Sequence, residues 1–353
     1  MIVGVNTLMP EDAGGFAGVY SGYDDRYFRS LLSALRALQT ETEFVLFCDE
    51  QNHGAYEGWL RANISGHTSL FSGLRGGNAL EAAAQKAKVD VLWTPLAGAV
   101  AGSVPQVLFA TDFLPWEPDP DSGPVRKGAN LKAEKKACAA AKSLVVTSEY
   151  LRRKALELFE MPLNKVVVAT PGVDAVFQAP HETLVEPPYM VVYCDARVAR
   201  GRERMEEALA QLEKDYPQNF VIAGPGFDGE PGDWGPRYIR IERLPDSALA
   251  GLYQHASAFI YPGLFDGCCV RVLEALCAGV PVVAPRTAAF PELCGDGPIY
   301  YSLTSAVSMV QSVRRALDLD ATTRANRIHA GRSVLPKFSW EKSAWKLLTA
   351  LSK

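Results

Sequence analysis

The sequence predicts two doubly wound α/β domains that face a cleft. A chain of 353 residues exceeds the usual size of a single hydrophobic core, so two domains are expected. Short, almost wholly apolar runs alternate with helical stretches in both halves, a pattern typical of parallel sheets covered on both faces. Between the halves, residues 173–188 include the proline-rich stretch QAPHETLVEPP, and we interpret them as a linker.

The first domain is predicted to comprise residues 1–172. Its strands are IVGVN near the start, EFVLF from residue 43, VDVLW from 89, QVLFA from 106, LVVTS from 144 and KVVVA from 165. Between the first two strands, apolar residues recur at helical spacing: Tyr27, Phe28, Leu31, Leu32, Leu35 and Leu38. A strand, an amphipathic helix and a second strand in this order predict a crossover between parallel strands.

The second domain is predicted to comprise residues 189–335 and repeats this alternation. Its strands are MVVYC from residue 190, FVIAG from 220, YIRIE from 238, AFIYP from 258, PVVAP from 281 and IYY from 299. Helices are predicted at about 203–214, 246–256, 270–278 and 304–318. Residues 336–353 are predicted to form a closing helix with one apolar stripe. From the residues alone, this helix could simply pack on the second domain, which it follows. That stripe is Trp340, Ala344, Leu347, Leu348 and Leu351.

Composition and charge narrow the functional classes. A net charge of −4 gives no support for general nucleic-acid binding, so a small-molecule partner is favoured. The seven cysteines have an odd count and no CxxC spacing, which fits a reducing cytosol. The start MIVGVNTLMP lacks a basic region and a long apolar run, and no stretch reaches about 18 apolar residues. We therefore expect a cytoplasmic protein without a signal peptide or a membrane span.

The most informative segment is FIYPGLFDGCCVRVLEALCAGVPVVAP, residues 259–285. Its apolar start predicts a buried strand, and Gly263 and Gly267 permit a tight turn. A short helix is predicted over 270–278 and ends at Gly279. This strand, turn and helix would present a helix start to a ligand.

Two acids, Asp266 and Glu274, border the start of this helix. Unpaired backbone N–H groups and a partial positive charge at a helix start suit a phosphate. An acid one turn further in can accept hydrogen bonds from sugar hydroxyls. This is the chemistry of a nucleotide-sugar site. The residues alone leave a second interpretation open, in which Asp266 caps the helix and Glu274 lies at the surface.

The segment resembles the signature of family-four retaining glycosyltransferases, which have the GT-B fold of two Rossmann-like domains. That signature has an acid, seven further residues and a glutamate at a P-S-x-x-E-G-F-G turn. Here Asp266 stands in place of the first glutamate. Cys268 and Cys269 replace Phe-Gly, and Arg271 stands where proline is common. Five further segments resemble the family in its order across nearly the whole chain, which implies that the closing helix returns to the first domain.

The resemblance implies a set of donor-binding residues. Gly14 and Gly15 stand at the family's glycine loop, whose amides approach the diphosphate and the acceptor. The stretch VVYCDARVARGRERMEEAL stands where the family has an arginine and a lysine on the donor diphosphate. Arg197 matches the first base, and the second is Arg200 or Arg202, depending on whether the loop is shortened. Arginine would serve in place of lysine, because a guanidinium holds two phosphate oxygens. Without the resemblance, a plain turn and surface charges explain these residues.

Two further segments of the first domain resemble the family. PQVLFATDFLP resembles a strand that ends in His-Asp, with Thr111 in place of the histidine and Asp112 retained. In the family that histidine often contacts the transferred sugar, so either sugar choice differs here or activity is reduced. Viewed alone, Asp112 is also explained as a loop acid that caps a turn. KSLVVTSEYL resembles the family's next strand and helix, with Ser148 as the N-cap of a helix from Glu149.

The resemblance implies a metal-independent transfer in which basic side chains and helix-start amides neutralise the leaving nucleoside diphosphate. These residues are Arg197, Arg200, Cys268, Cys269 and Val270. Glu274 would bind the ribose hydroxyls, and Asp266 would face the sugar. The implied co-substrate is a nucleotide diphosphate sugar, with UDP or GDP favoured, and the acceptor is a hydroxyl group. No other cofactor is expected.

Two alternatives to an active transferase stay open. Thr111 and Asp266 motivate a GT-B protein that keeps nucleotide-sugar binding and has weakened catalysis. A nucleotide-sugar epimerase with the same fold is the other alternative. Turnover of nucleotide sugars separates them, because a binding protein releases no nucleotide.

The segment 126–154 has a local excess of positive charge, with nine basic and two acidic residues. Such a surface can meet an anionic acceptor or the inner face of a membrane, which makes peripheral membrane contact a hypothesis. The same charges are also explained as the solvated face of a helix. Both interpretations stay open at the level of sequence.

Overall fold

The computed structural model describes residues 1–8, 24–50, 53–64, 72–117, 131–195, 201–225, 235–303 and 305–353. The chain divides into two compact units. Unit 1 comprises Met1–Trp116, Val125–Thr170 and Trp340–Lys353, and unit 2 comprises Glu117–Pro124 and Pro171–Ser339. The polypeptide therefore enters the main part of unit 2 after Thr170 and re-enters unit 1 at Trp340.

Unit 1 contains a sheet of seven parallel strands in the order β3-β2-β1-β4-β5-β6-β7. The strands are β1 (Ile2–Asn6), β2 (Glu43–Cys48), β3 (Leu60–Asn63), β4 (Val91–Pro95), β5 (Gln106–Ala110), β6 (Ser143–Val146) and β7 (Val166–Val168). The first four described helices are α1 (Asp25–Ala37), α2 (Ser72–Lys86), α3 (Leu131–Ala140) and α4 (Glu149–Phe159). The strand order reverses between β1 and β4, which makes their carboxyl ends the switch point at which sheets of this kind bind ligands.

Unit 2 contains a sheet of six parallel strands in the order β10-β9-β8-β11-β12-β13. The strands are β8 (Tyr189–Tyr193), β9 (Asn219–Ala223), β10 (Tyr238–Ile241), β11 (Ala258–Ile260), β12 (Val282–Pro285) and β13 (Ile299–Tyr301). The described helices are α5 (Arg202–Asp215), α6 (Asp246–Gln254), α7 (Val270–Ala278), α8 (Phe290–Cys294), α9 (Ala306–Leu317) and α10 (Ala321–Ser333). Here the switch point lies between β8 and β11.

The predicted fold class is confirmed, because each unit has a parallel sheet and the chain alternates strands with helices. All twelve predicted strands are present, and the helix over 270–278 has the predicted bounds. The predicted N-cap Ser148 accepts a hydrogen bond from the Leu151 amide at 3.2 Å. The strand β3 and the helices α2, α3, α8 and α10 were not predicted. Most are short or, like α10, have little apolar periodicity, so pattern analysis gives a weak signal.

The closing helix, α11 (Trp340–Ser352), packs in unit 1. Its Trp340 ring meets the Tyr27 ring of α1 edge-on, with centroids 5.6 Å apart. The Tyr27 hydroxyl donates to the Ala169 carbonyl at 2.7 Å. This bond joins α1 to the segment that follows β7, just before the chain leaves unit 1. The rest of the predicted stripe is buried: Ala344, Leu347, Leu348 and Leu351.

Two side chains of α11 hold the point at which the chain leaves unit 1. The Ser343 hydroxyl donates to the Thr170 carbonyl, and the Lys346 ammonium donates to the Val168 carbonyl at 2.9 Å. The departing strand and the returning helix are therefore hydrogen-bonded to each other. The helix returns to the first domain, as the family resemblance implied.

The predicted linker is packed against α6 of unit 2. The Phe177 ring is buried and stacks on Tyr253, with centroids 6.1 Å apart. The Gln254 side chain donates to the Ala179 carbonyl at 2.7 Å and accepts from the His181 amide at 3.0 Å. In this part of 173–188 the backbone is therefore anchored by side chains of one helix.

All seven cysteines are free and buried. A buried thiol behaves as a small hydrophobic group, so these residues contribute to core packing. In the part of the chain that the structure describes, no helix is long and apolar enough to cross a membrane.

Replacement of Gly251 in α6 tests the packing of the linker. A Cβ atom at this position would lie 1.9 Å from the Glu182 carbonyl oxygen, so alanine has to displace the linker backbone. We expect Gly251→Ala to lower the free energy of unfolding by about 2 kcal/mol, although alanine is the better helix former by about 1 kcal/mol. Urea denaturation measures the change.

The matched control is Ser247→Ala, at an exposed position of the same helix. It should leave the free energy of unfolding unchanged or slightly raised, because alanine favours the helix and the position is exposed. A Gly251→Ala variant as stable as this control would contradict the contact.

Candidate functional site

The motif segment folds as the predicted strand, turn and helix. The strand β11 ends at Ile260, and α7 begins at Val270 and is ended by Gly279 in a left-handed conformation, with φ of 87°. Every residue of α7 is buried except Arg271, which is partly exposed. The helix is therefore a core element, and its start follows the carboxyl end of a central strand.

The start of α7 follows one of the two strands at the switch point of the second sheet. The neighbouring strands β8 and β11 lead into Tyr193 and Tyr261, whose rings stack with centroids 6.4 Å apart and planes 9° apart. Ligands of α/β sheets bind outside the carboxyl ends of the strands at such a point. The stacked tyrosines therefore lie where a ligand of this unit is expected.

Asp266 holds the turn that leads into α7. Its side chain is about 1% exposed, and Oδ1 accepts hydrogen bonds from the amides of Cys268 at 2.8 Å and Cys269 at 2.9 Å. The other oxygen, Oδ2, accepts from the Tyr261 hydroxyl at 3.1 Å. Both amides belong to residues that precede Val270, the first residue of α7. These bonds therefore stabilise the turn, and they are not the helix cap that the sequence left open. Two of the amides expected to meet a diphosphate, those of Cys268 and Cys269, donate to Asp266 in this structure.

Cys269 has a backbone conformation that favours glycine. Its φ of 55° and ψ of 22° are left-handed, and it stands where the family resemblance places a glycine. The side chain is buried. Burial raises the pKa of the Cys269 thiol well above its usual value, and a hydrogen bond with Cys294 raises it further. The thiol is therefore a neutral packing group at physiological pH and not a thiolate nucleophile.

Glu274 is buried and paired within α7. Its side chain is about 1% exposed, which excludes the interpretation of Glu274 as a surface residue. The Arg271 Nη1 atom lies 2.8 Å from Glu274 Oε2, one turn along the helix. The Arg271 guanidinium also lies over the Tyr193 ring, 5.3 Å from its centroid. Glu274, the inferred ribose-binding acid, thus has a cationic neighbour that packs on Tyr193.

The other end of α7 is held by Arg332 of α10. Its guanidinium donates to the carbonyls of Cys277 at 3.2 Å and Ala278 at 3.3 Å. A carboxylate at the start of a helix and a guanidinium at its end both interact favourably with the helix dipole. Asp266 and Arg332 therefore hold the helix that bears Glu274 from its two ends.

The loop that contains Arg197 and Arg200 ends beside the turn that contains Asp266. Gly201 precedes α5 in a left-handed conformation, with φ of 108°, and a Cβ atom there would lie 2.9 Å from Leu264. The end of this loop thus packs against the turn that leads to Asp266. Arg202 forms an ion pair with Glu206 at 2.7 Å. Arg197 and Arg200 lie outside the described residues, so their donor-binding roles stay predictions.

The predicted residues of unit 1 follow β5. Thr111 and Asp112 are both buried, and Asp112 Oδ1 accepts from the Leu114 amide at 3.1 Å. This bond is the turn cap that the sequence allowed, and a contact with the transferred sugar stays a prediction. Gly14 and Gly15 lie outside the described residues.

A polar contact at the switch point of unit 1 was not predicted. Asn6 Nδ2, at the end of β1, donates to Thr94 Oγ1 of β4 at 2.8 Å, and Thr7 Oγ1 donates to the Phe47 carbonyl at 2.7 Å. Asn6, Thr7 and Thr94 are all buried. Polar residues at the end of apolar strands are a signal that sequence analysis can use. Tyr193 and Tyr261 give the same signal in unit 2, whereas Arg332 gives none.

Two α/β units with parallel sheets of this kind are the architecture of the GT-B fold, and unit 2 contains the two acids and the helix start that the sequence singled out. Residues 191–318 match the family described as glycosyl transferases group 1. This match covers both sides of the switch point and includes the segment with Asp266 and Glu274. The resemblance inferred from the sequence is thereby confirmed for this part of the chain.

Curated relatives include two mannosyltransferases. O-antigen chain mannosyltransferase B of Escherichia coli is 25% identical over 231 residues, which cover 60% of this chain and 60% of that protein. MMP alpha-(1->4)-mannosyltransferase of Mycolicibacterium hassiacum is 30% identical over 166 residues, which cover 46% of this chain and 39% of that protein. The chain therefore matches less than two thirds of the length of each of these relatives.

Solved structures with the same fold cover nearly the whole chain. Sucrose-phosphate synthase from Thermosynechococcus elongatus has a TM-score of 0.76 at 15% identity and covers 99% of this chain and 98% of that chain. HepE from Anabaena, in complex with UDP-glucose, has a TM-score of 0.72 at 15% identity, and the match covers 100% of this chain and 99% of that chain. At this level of identity the likeness shows the fold.

The left-handed Cys269 generates a prediction about stability. Glycine adopts this conformation without strain, whereas alanine keeps the strain of cysteine. We expect Cys269→Gly to be more stable than Cys269→Ala by about 1 kcal/mol in urea denaturation.

The matched control is the same pair of substitutions at Cys277, which is buried in the regular part of α7. There the order should reverse, because glycine is less favourable than alanine inside a helix by about 1 kcal/mol. If the glycine and alanine variants had the same order of stability at both positions, this would argue against backbone strain at Cys269.

Proposed function

We propose that the protein is a retaining glycosyltransferase that moves a sugar from a nucleotide diphosphate sugar to a hydroxyl acceptor. The main support is the pair of acids at α7, Asp266 and Glu274, each about 1% exposed, within the segment that matches group 1 glycosyltransferases. Burial of charged groups is costly, and natural proteins accept such costs mainly at functional sites.

In this proposal Glu274 binds the ribose hydroxyls, because an ionised carboxylate accepts several hydrogen bonds. Arg197 and Arg200 bind the diphosphate together with the first-turn amides of α7, including that of Val270. Asp266 holds the turn through the hydrogen bonds that it accepts from two backbone amides. Thr111 and Asp112 contribute to the sugar and acceptor side.

The proposed transfer breaks the bond between the anomeric carbon and a diphosphate oxygen. A bond between that carbon and the acceptor oxygen forms on the same face, so the anomeric configuration is retained. The hydroxyl proton passes to the leaving diphosphate, which therefore acts as the base. Basic side chains and the helix start neutralise the charge that develops on the diphosphate, and we propose no metal ion in this step.

Relatives support a hexose as the transferred sugar. Two curated relatives are mannosyltransferases by name, and HepE was solved with UDP-glucose. We therefore propose UDP or GDP as the nucleotide. Asp266 and Thr111 differ from the family pattern on the sugar-facing side, which supports a change of sugar choice relative to the family.

A second candidate function is nucleotide-sugar binding with weakened transfer. The observation that favours it is the Asp266 carboxylate, both oxygens of which already accept hydrogen bonds from the turn and from Tyr261. A carboxylate held in this way first of all stabilises the turn before α7. A GT-B nucleotide-sugar epimerase is the remaining alternative and differs in converting the donor without an acceptor.

The basic segment 126–154 is partly neutralised within unit 1. Lys135 pairs with Glu160 at 2.6 Å, and Arg152 pairs with Glu149 at 2.5 Å. These pairs favour a solvated helix face for part of the segment. Contact of the remaining charges with an anionic acceptor or a membrane stays a prediction, as does a cytoplasmic location.

A panel of donors tests the proposed function. Incubation with UDP-, GDP-, ADP- and dTDP-hexoses should release nucleoside diphosphate from at least one donor in the presence of a sugar acceptor. Retention is then read from the anomeric configuration of the product by NMR. Tight nucleotide binding without turnover would support the second candidate, and conversion of the donor sugar without acceptor would support the epimerase.

Removal of Glu274 tests the ribose assignment. We expect Glu274→Ala to weaken binding of the preferred nucleotide by about 1 to 3 kcal/mol, because the ribose hydroxyls lose their acceptor. Isothermal titration calorimetry measures the affinity. Glu203→Ala, at an exposed position of α5, is the control, and a Glu274→Ala affinity equal to the control would remove the assignment.

A further inference from the structure

We propose that Arg271 is a positioning residue for the donor, which holds the Glu274 carboxylate in the orientation that accepts the ribose hydroxyls. The proposal rests on the proposed function and adds a residue to it. The family resemblance gives no role to this position, where proline is common. The contacts of Arg271 in this structure give it one.

Arg271 has two contacts of different kinds. Its Nη1 atom lies 2.8 Å from Glu274 Oε2, with side chains that are 18% and 1% exposed. Its guanidinium carbon lies 5.3 Å from the centroid of the Tyr193 ring. An ion pair limits the position of the guanidinium, and an aromatic face limits its plane. Together they limit the orientation of the carboxylate that Arg271 meets.

The position of Arg271 in α7 opposes the electrostatics of the helix. A cation in the first turn interacts unfavourably with the helix dipole, and the first turn of α7 contains no acidic residue. By contrast, α1, α4 and α5 have Asp25, Glu149 and Glu203 in their first turns. A residue that breaks a local rule marks a functional or strained site. Here the compensating contacts lie on Glu274 and Tyr193.

The same contacts connect the two acids of the site. Tyr193 stacks on Tyr261, and the Tyr261 hydroxyl donates to Asp266. A chain of contacts therefore runs from Glu274 through Arg271 and the two rings to Asp266. Both acids are supported by the aromatic pair at the switch point, which explains why a planar guanidinium suits this position better than an ammonium.

The test compares two ligands that differ only in the ribose hydroxyls. Calorimetry gives the dissociation constants of the preferred nucleoside diphosphate and of its 2′,3′-dideoxy form for each variant. For the wild type, loss of the hydroxyls should weaken binding about 10- to 100-fold. The ratio of the two dissociation constants measures the contribution of the ribose hydroxyls. Glu274→Gln gives this ratio when the carboxylate charge is absent.

The variants are Arg271→Gln and Arg271→Lys. We expect Arg271→Gln to reduce the ratio of the two dissociation constants to a few-fold, on the order of the Glu274→Gln ratio, while affinity for the dideoxy ligand changes by less than about twofold. Arg271→Lys should lie between Gln and the wild type. Arg240→Gln, which removes an exposed ion pair with Glu242 in unit 2, is the control and should keep the wild-type ratio.

Each other result overturns the inference. An unchanged ratio in Arg271→Gln would show that Glu274 keeps its orientation without Arg271. Equal weakening of both ligands would show direct contact of Arg271 with the phosphates or the base. A lower melting temperature with an unchanged ratio would show a purely structural role. If the wild type binds none of the nucleotides, the proposed function fails first, and this inference fails with it.

Discussion

The carboxylate of Asp266 holds the turn between β11 and α7, and the geometry of the candidate site depends on it. Two backbone amides and a tyrosine hydroxyl donate to this one buried group, so its charge is compensated by hydrogen bonds instead of water. The turn leads directly into α7, and the position of α7 sets the position of Glu274. Arg332 at the other end of the helix keeps this direction by holding two terminal carbonyls. A shift of this turn would therefore move the inferred ribose site together with its helix.

The fold could be predicted from the sequence to the extent that its strands are buried on both faces. Such strands appear as apolar runs, and this is why the strands from β8 to β13 were found in order. The strand β3 was missed because it lies at a sheet edge, and its Leu60 is exposed. The helix α10 was missed because its buried face contains little beyond Gly331, whose missing side chain lets the backbone approach Leu276. Close packing of this kind leaves no apolar pattern in the sequence.

The site could be predicted where its residues are close along the chain. Asp266 and Glu274 belong to one motif, and the sequence offered both of their interpretations, cap and ligand. The structure shows Asp266 bonded to the turn before α7 and excludes a surface position for Glu274. Arg332 could not be found in this way, because it lies 55 residues from the Cys277 carbonyl that it meets. The stacking of Tyr193 on Tyr261 likewise depends on strand pairing, which brings distant residues together.

The return of α11 to unit 1 has a consequence for the order in which the protein can fold during synthesis. The main part of unit 2, from Pro171 to Ser339, is continuous and emerges from the ribosome before α11 does. The sheet of unit 1 is synthesised earlier, yet Tyr27 of α1 can contact Trp340 only when α11 has been made. Until then an apolar surface of unit 1 stays open to other chains and to chaperones, because nascent domains expose what their missing segments would cover. Unit 1 is thus completed only after the main part of unit 2 has been synthesised.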